Sequence, residues 1–165
     1  MRLDPDNNSA EKHHRQYLER AVALADANVR ESGGRPFGAV LVHDGRVIAE
    51  GVNTIHENSD PTAHAELEAI RAATTAAGAP RLDGTVMYAS GHPCPMCLAA
   101  MYLCGVKRAY YALSQEDGEA HGLSTADIYA ELARPAGQRT LRMIHIPLDH
   151  GPDPYTSWSA LQERS

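Results

Sequence analysis

A chain of 165 residues is the size of one compact domain, long enough to bury about two-thirds of its unfolded surface. Hydrophobic residues make up 43% and charged residues 22%, with no apolar run near the ~20 residues that span a bilayer, which predicts a soluble globular protein and excludes a membrane-spanning one. The net charge of -6, with basic residues scattered apart from Lys107-Arg108, Arg139 and Arg142, gives no electrostatic footprint of a nucleic-acid binder.

The polar N-terminus, MRLDPDNNSAEKHHR, has no apolar stretch of the kind a secretory signal needs, so the expected location is cytoplasmic. In that reducing compartment Cys94, Cys97 and Cys104 argue against a disulfide framework and for metal or catalytic use of the close pair. Ser9 is placed to cap a first helix whose Leu18, Val22, Ala25 and Val29 recur at helical spacing, ending near Gly33-Gly34. The run FGAVLVHDGRVIAEGVN is β-rich on both sides of Asp44-Gly45, a dipeptide suited to positive φ, which predicts a hairpin.

Asp60 and Pro61 suit the start of a second helix that runs through AIRAATTAA and stops at Gly78. The run TVMYAS reads as a strand, Pro93 and CLAAMYLC as a third helix closed by Gly105, and VKRAYYAL as a further strand. Ser124 can cap a short helix, TADIYAEL, ahead of a last strand, LRMIHIPL, and a tail from about residue 147 that ends in a helical turn. This order predicts a single α/β domain over residues 1–165, with a five-stranded mixed sheet between helical layers.

His64 and Glu66 lie two apart, a spacing that diverges in mid-helix. Side chains tilt toward a helix N-terminus, so in a first turn both can lean over the end, His64 as a ligand and Glu66 reaching past it. Cys94 and Cys97, three apart after Pro93, repeat that geometry on the third helix. Two thiolates and one imidazole suit one zinc per chain, and three protein ligands leave the fourth position open, the pattern of a catalytic site. Zinc lowers the pKa of its water to about 7, and Glu66 beside it can carry protons to a ring nitrogen and a departing amine. Cys104 is seven residues past Cys97 and reads as a buried small hydrophobe, with Met87, Met96 and Met101 as core filling.

His64-Ala65-Glu66 followed by Pro93-Cys94-Pro95-Met96-Cys97 is the H-x-E and P-C-x-x-C signature of zinc nucleobase deaminases. Over residues 15 to 160 the chain resembles the cytidine deaminase-like superfamily, most of all the guanine deaminases, through PFGAV, NSDPTAHAE, PCPMC, IYAEL and the proline–aromatic–tryptophan tail. That resemblance implies a three-layer α/β/α cytidine deaminase-like fold and hydrolysis of guanine to xanthine and ammonia. It implies that Asn53 and the Ala65 backbone contact the base and that Phe37 walls the pocket. Asp117 and Glu131 fall where guanine deaminases place acidic residues near the site. It also implies a homodimer, with exchanged C-terminal tails in which Tyr155 and Trp158 close the site.

Two positions depart from the family pattern: Ser90-Gly91-His92-Pro93-Cys94 has histidine where S-x-E-P-C is usual, and Leu103 stands where some guanine deaminases have an aromatic. His92 is therefore read as lining the pocket mouth, with the role of fourth metal ligand as its alternative. Other functions compatible with the motif are deamination of cytosine, a cytidine-like nucleoside, a triazine or a pterin, deamination of adenosine in tRNA, and a zinc-stabilised binding module without turnover.

Overall fold

In the computed structural model, which describes residues 5–163, the apolar run AVLV lies inside a sheet. β1 (Gly38–His43) is buried from Gly38 to Val42 because both its faces are covered. Ala39 and Leu41 enter one core cluster and Val40 and Val42 the other, the two-residue alternation of a strand. β2 (Arg46–Val52) pairs antiparallel with β1 through Asp44 and Gly45, whose φ angles of 47° and 73° match the turn that Asp-Gly predicts. β3 (Val86–Gly91) is antiparallel to β1, and β4 (Arg108–Leu113) is parallel to β3. The sheet is mixed, in the order β2-β1-β3-β4.

One face of the sheet is covered by α1 (Pro5–Ser32), where Ala21 packs with Val40, Val42 and Tyr88. After a short α2 (Ile55–Asn58), α3 (Ala65–Ala77) and α4 (Pro95–Cys104) cover the other, burying Leu41, Ile70, Met87 and Met101 together. Cys104 is buried with them, its Sγ 3.6 Å from the Met101 carbonyl. Gly38 and Gly51 permit this layering: a Cβ on Gly38 would fall on the Ala21 carbonyl oxygen of α1, and one on Gly51 on the Ala65 carbonyl oxygen of α3. Both helices therefore sit directly on strand backbone.

The chain continues through α5 (Gln115–Glu119), α6 (Ala126–Ala133), a 3₁₀ turn (Ala136–Gln138) and α7 (Pro154–Gln162). Two compact units divide it, one reaching to Ala130 and one beginning at Glu131. Among the described residues no helix is long and apolar enough to cross a membrane.

Three expectations shift. The first helix already includes residues 5–8, ahead of Ser9, so Ser9 does not cap it. The helix expected from Asp60 starts at Ala65, because the Asp60 carboxylate accepts the Thr62 N–H and hydroxyl at 2.8 and 2.7 Å, a turn that competes with helix. Among the described residues the sheet has four strands, not five, and the LRMIHIPL segment, 141–148, pairs with none of them. Its Leu141, Met143, Ile144, Ile146 and Leu148 are all exposed. Apolar and β-branched composition fits a pleated surface, but a strand also needs a partner edge, and here none is bonded to it.

Candidate active site

Two helix N-termini build the site. His64 is the N-cap of α3, in extended geometry, and its side chain makes no capping bond, which leaves the imidazole for other work. Glu66 is the second helical residue and only 6% exposed. β3 delivers the chain through His92 and Pro93 to Cys94, the N-cap of α4, whose Sγ accepts the Cys97 N–H at 3.5 Å, with Pro95 at the first helical position. The helices stop where glycine takes left-handed φ, 62° at Gly78 and 85° at Gly105.

The donor atoms converge. The two sulfurs are 3.5 Å apart, and His64 Nδ1 lies 3.5 Å from the Cys94 sulfur and 3.7 Å from that of Cys97. Tetrahedral zinc at ordinary bond lengths would separate two sulfurs by about 3.8 Å and a sulfur from a nitrogen by about 3.6 Å. The triangle fits that ion, and among the described residues it has three members, so an open fourth position is compatible with catalysis. His92 is not one of them. Its ring packs edge-on against Tyr111 and Tyr129, at 4.7 and 5.5 Å between centroids, and its Nδ1 sits 2.9 Å from the Pro93 carbonyl.

The electrostatics suit anionic sulfur. The Cys94 thiol is pulled down to about 4, first by its hydrogen bond with Cys97 and then by His64, while the same bond pushes Cys97 up. His64 is raised above its ordinary value, chiefly by the Cys94 sulfur, with burial and the Arg35 charge opposing. The Glu66 carboxyl is also raised, mainly by burial, as a group that must both take and give a proton requires.

A cavity of about 110 Å³ opens over these groups, lined by Arg35, Phe37, Asn53, His92 and the Ser124-Thr125 edge as well as by His64 and Glu66. Asn53 is buried, and its Oδ1 accepts the Ile55 N–H at 3.3 Å, so one end of the amide serves the turn while the residue also borders the cavity. Ala65 is fully buried in the first turn of α3, whose leading N–H groups have no partner within the helix. Phe37, His92 and Leu123 also border a second cavity, about 370 Å³, which Pro36 and Leu113 help to make apolar.

Asp117 lines that second cavity, but its carboxylate closes a capping box at α5, accepting the Ser114 N–H at 2.8 Å while Ser114 Oγ accepts its own N–H. Glu131 is occupied within the second unit by Arg134 and by the N–H and hydroxyl of Thr140. Tyr155 and Trp158 lie on α7, 84% and 63% exposed. Leu103 is exposed near the end of α4 and borders neither cavity.

Sequence reasoning left several residues that hold the walls without a role at the site. Asn28, a buried amide on α1, donates through Nδ2 to the carbonyls of Arg35 and Asn53, each at 2.9 Å, and so ties two cavity-lining residues to one point. Gly34 makes room for it, since a Cβ there would collide with the Asn28 amide and with His56. Gln115 donates to Thr125 Oγ1 at 3.0 Å and accepts from the Thr125 N–H and the Ser124 hydroxyl at 2.8 and 3.0 Å, with its Nε2 3.1 Å from His92 Nδ1. A polar residue on the buried face of a helix was the available signal for Asn28; nothing local marks Gln115 or Thr125.

Comparison with known proteins agrees with this geometry. Residues 11–113 match the zinc-binding region of cytidine and deoxycytidylate deaminases. The chain belongs to that family. The deaminase is 42% identical to guanine deaminase of Bacillus subtilis (strain 168) over 146 residues, 88% of this chain and 94% of that one. The X-ray structure of the Bacillus subtilis enzyme superposes with a TM-score of 0.82 over 89% of this chain and 94% of that chain. A guanine deaminase structure from Nitrosomonas europaea is 28% identical, with a TM-score of 0.62 over 66% of this chain and 63% of that one. A tRNA-specific adenosine deaminase of Agrobacterium fabrum is 45% identical over 102 residues, 60% of this chain and 67% of the relative. The chain thus carries a zinc-dependent deaminase site, formed by His64, Cys94 and Cys97.

Proposed function

We propose that this deaminase hydrolyses guanine to xanthine and ammonia. The observation that carries the reading is the extent of the guanine deaminase match, which runs beyond the metal-binding region into the C-terminal segment. His64, Cys94 and Cys97 would hold the zinc, which when bound supplies Lewis-acid activation of water. Glu66, buried beside the cysteines, takes the proton of the water that adds to C2 of the ring. It passes protons to the adjacent ring nitrogen and then to the amine, so that the C–N bond breaks and ammonia leaves. The Asn53 amide and the Ala65 N–H hydrogen-bond the base, Phe37 walls it in, and His92 borders the mouth. The decisive measurement is ammonia release from a panel of aminated rings by zinc-loaded protein. Xanthine from guanine is the expected product, and turnover of another ring with none of guanine overturns the reading.

In this reading the protein is a cytoplasmic homodimer with exchanged C-terminal segments, and Tyr155 and Trp158 of the partner subunit help to exclude water from the pocket. The exposed apolar side chains of 141–148 support this, and the three free thiols fit a reducing compartment. A chain ended before Gly151 is expected to keep zinc and fold while losing guanine turnover. Adenosine deamination in tRNA is the second reading, favoured by the 45% identity over 102 residues to the Agrobacterium fabrum enzyme. The net charge of -6 opposes it, because an RNA backbone needs a basic docking face.

A further inference from the structure

The catalytic cavity carries more hydrogen-bond donors than its chemistry uses. Its one carboxylate, Glu66, moves protons. Thr125 Oγ1 accepts from Gln115, which leaves its own hydroxyl proton to give, and the Asn53 oxygen is occupied by the Ile55 N–H, which leaves its NH₂. Arg35 adds a guanidinium, among the described residues the one lysine or arginine side chain lining this cavity or its apolar neighbour. Arg15, Arg20, Arg30, Arg71, Arg81 and Arg134 each pair with a carboxylate, but among the described residues the Arg35 side chain has no hydrogen bond or ion pair.

Its main chain, by contrast, is fixed. The Arg35 carbonyl accepts both the Asn28 amide at 2.9 Å and the Phe37 N–H at 2.8 Å, and Pro36 follows. An anchored base with a free planar head is suited to recognising an oxygen acceptor, since guanidinium pairs most strongly with carbonyl or anionic oxygen. A ring that brought an amine to that place would set donor against donor, and sites built to hydrogen-bond a substrate group reject analogues that lack it.

We infer that Arg35 is a specificity-determining residue that selects aminated rings bearing an oxo group, and so favours guanine over the same ring with an amine at position 6. This rests on the guanine reading above. The test compares kcat/KM of the full-length, zinc-loaded protein for guanine and for 2,6-diaminopurine, in the parent and in Arg35→Gln. A hydrogen bond to a charged group corresponds to a loss of about 10- to 100-fold, so Arg35→Gln should lose that much on guanine, mainly through KM, with 2,6-diaminopurine little changed. Zinc content and melting temperature should hold, because Arg35 is an exposed residue whose side chain bonds to no other group among the described residues, and Arg35→Lys should recover part of the loss. Guanine turnover with an unchanged ratio between the two substrates in Arg35→Gln overturns the role of Arg35 alone. If the parent turns over neither purine, the guanine reading fails and this inference with it.

Discussion

The two cavities share Phe37, His92 and Leu123 yet differ in what surrounds those residues. In the smaller one, two helix N-termini bring an imidazole, two thiols and a carboxyl together, and each of those groups has its proton affinity displaced by the others or by burial. In the larger, the side chains of Ser114, Gln115 and Asp117 are engaged in folding the chain. The contrast teaches that concavity and volume do not locate chemistry; convergence of titratable groups that perturb one another does.

Substitutions in the smaller cavity should strike the reaction, and the largest effect should come from the metal ligands. Cys97→Ser, or prolonged chelation of the parent protein, is expected to abolish deamination together with bound zinc, as read by elemental analysis and ammonia release. Glu66→Gln should keep the zinc and lower kcat by about 10²- to 10⁴-fold, the usual contribution of a general acid–base. A zinc-loaded Glu66→Gln protein with near-normal turnover would remove that residue from the mechanism.

Asn28→Ala touches neither cavity directly but releases two carbonyls in walls of the smaller one. A loss of about 1–3 kcal/mol in denaturant unfolding is expected, chiefly from the Asn53 carbonyl left unpaired, because the Arg35 carbonyl keeps the Phe37 N–H; KM should rise with zinc retained. At the shared wall, a Cβ on Gly91 would lie 3.2 Å from Phe37 Cε1, closer than the ring tolerates without shifting. Gly91→Ala should therefore raise KM moderately and leave kcat and metal content near the parent's; an unchanged KM would separate Phe37 from binding.

The smallest effect belongs to the larger cavity. Asp117→Asn weakens the α5 cap and should lower the melting temperature slightly at neutral pH without altering turnover. The Asp117 carboxyl is held below its ordinary value, first by the Ser114 N–H and then by the Ser114 side chain. A depressed folded-state value means that its stabilisation is present above the ordinary carboxylate pKa and fades as pH falls through the folded one. The deficit of Asp117→Asn should accordingly vanish in acid, and activity lost at neutral pH would instead place the carboxylate in substrate binding.

The metal triangle was legible because its residue types are rare in combination and their spacing has one economical reading at a helix start. The hairpin was legible from Asp44-Gly45 alone. Asp60 misled as a helix cap because the same side chain serves a turn equally well, and only Thr62 two positions on decides between them. The capping box at Ser114 and Asp117 is visible as an S-x-x-D spacing, a local signal independent of the substrate-side role that the family pattern implies for Asp117. LRMIHIPL failed as a strand because pairing is a property of two segments and a sequence window shows one. Asn28 and Gln115 act across 25 and 10 positions on Asn53 and Thr125, distances at which side-chain spacing carries no information.

Gly51 has a reach that its place on β2 conceals. The atom that a methyl group there would strike is the carbonyl oxygen of Ala65, in the very turn that bears His64 and Glu66. The two cysteines sit on α4, which approaches from β3 and takes no support from Gly51. Adding one carbon to β2 would thus act as a dislocation, lifting one half of the ligand set while the other half stays seated. The register between imidazole and thiols is set by a hydrogen atom on a residue that touches neither.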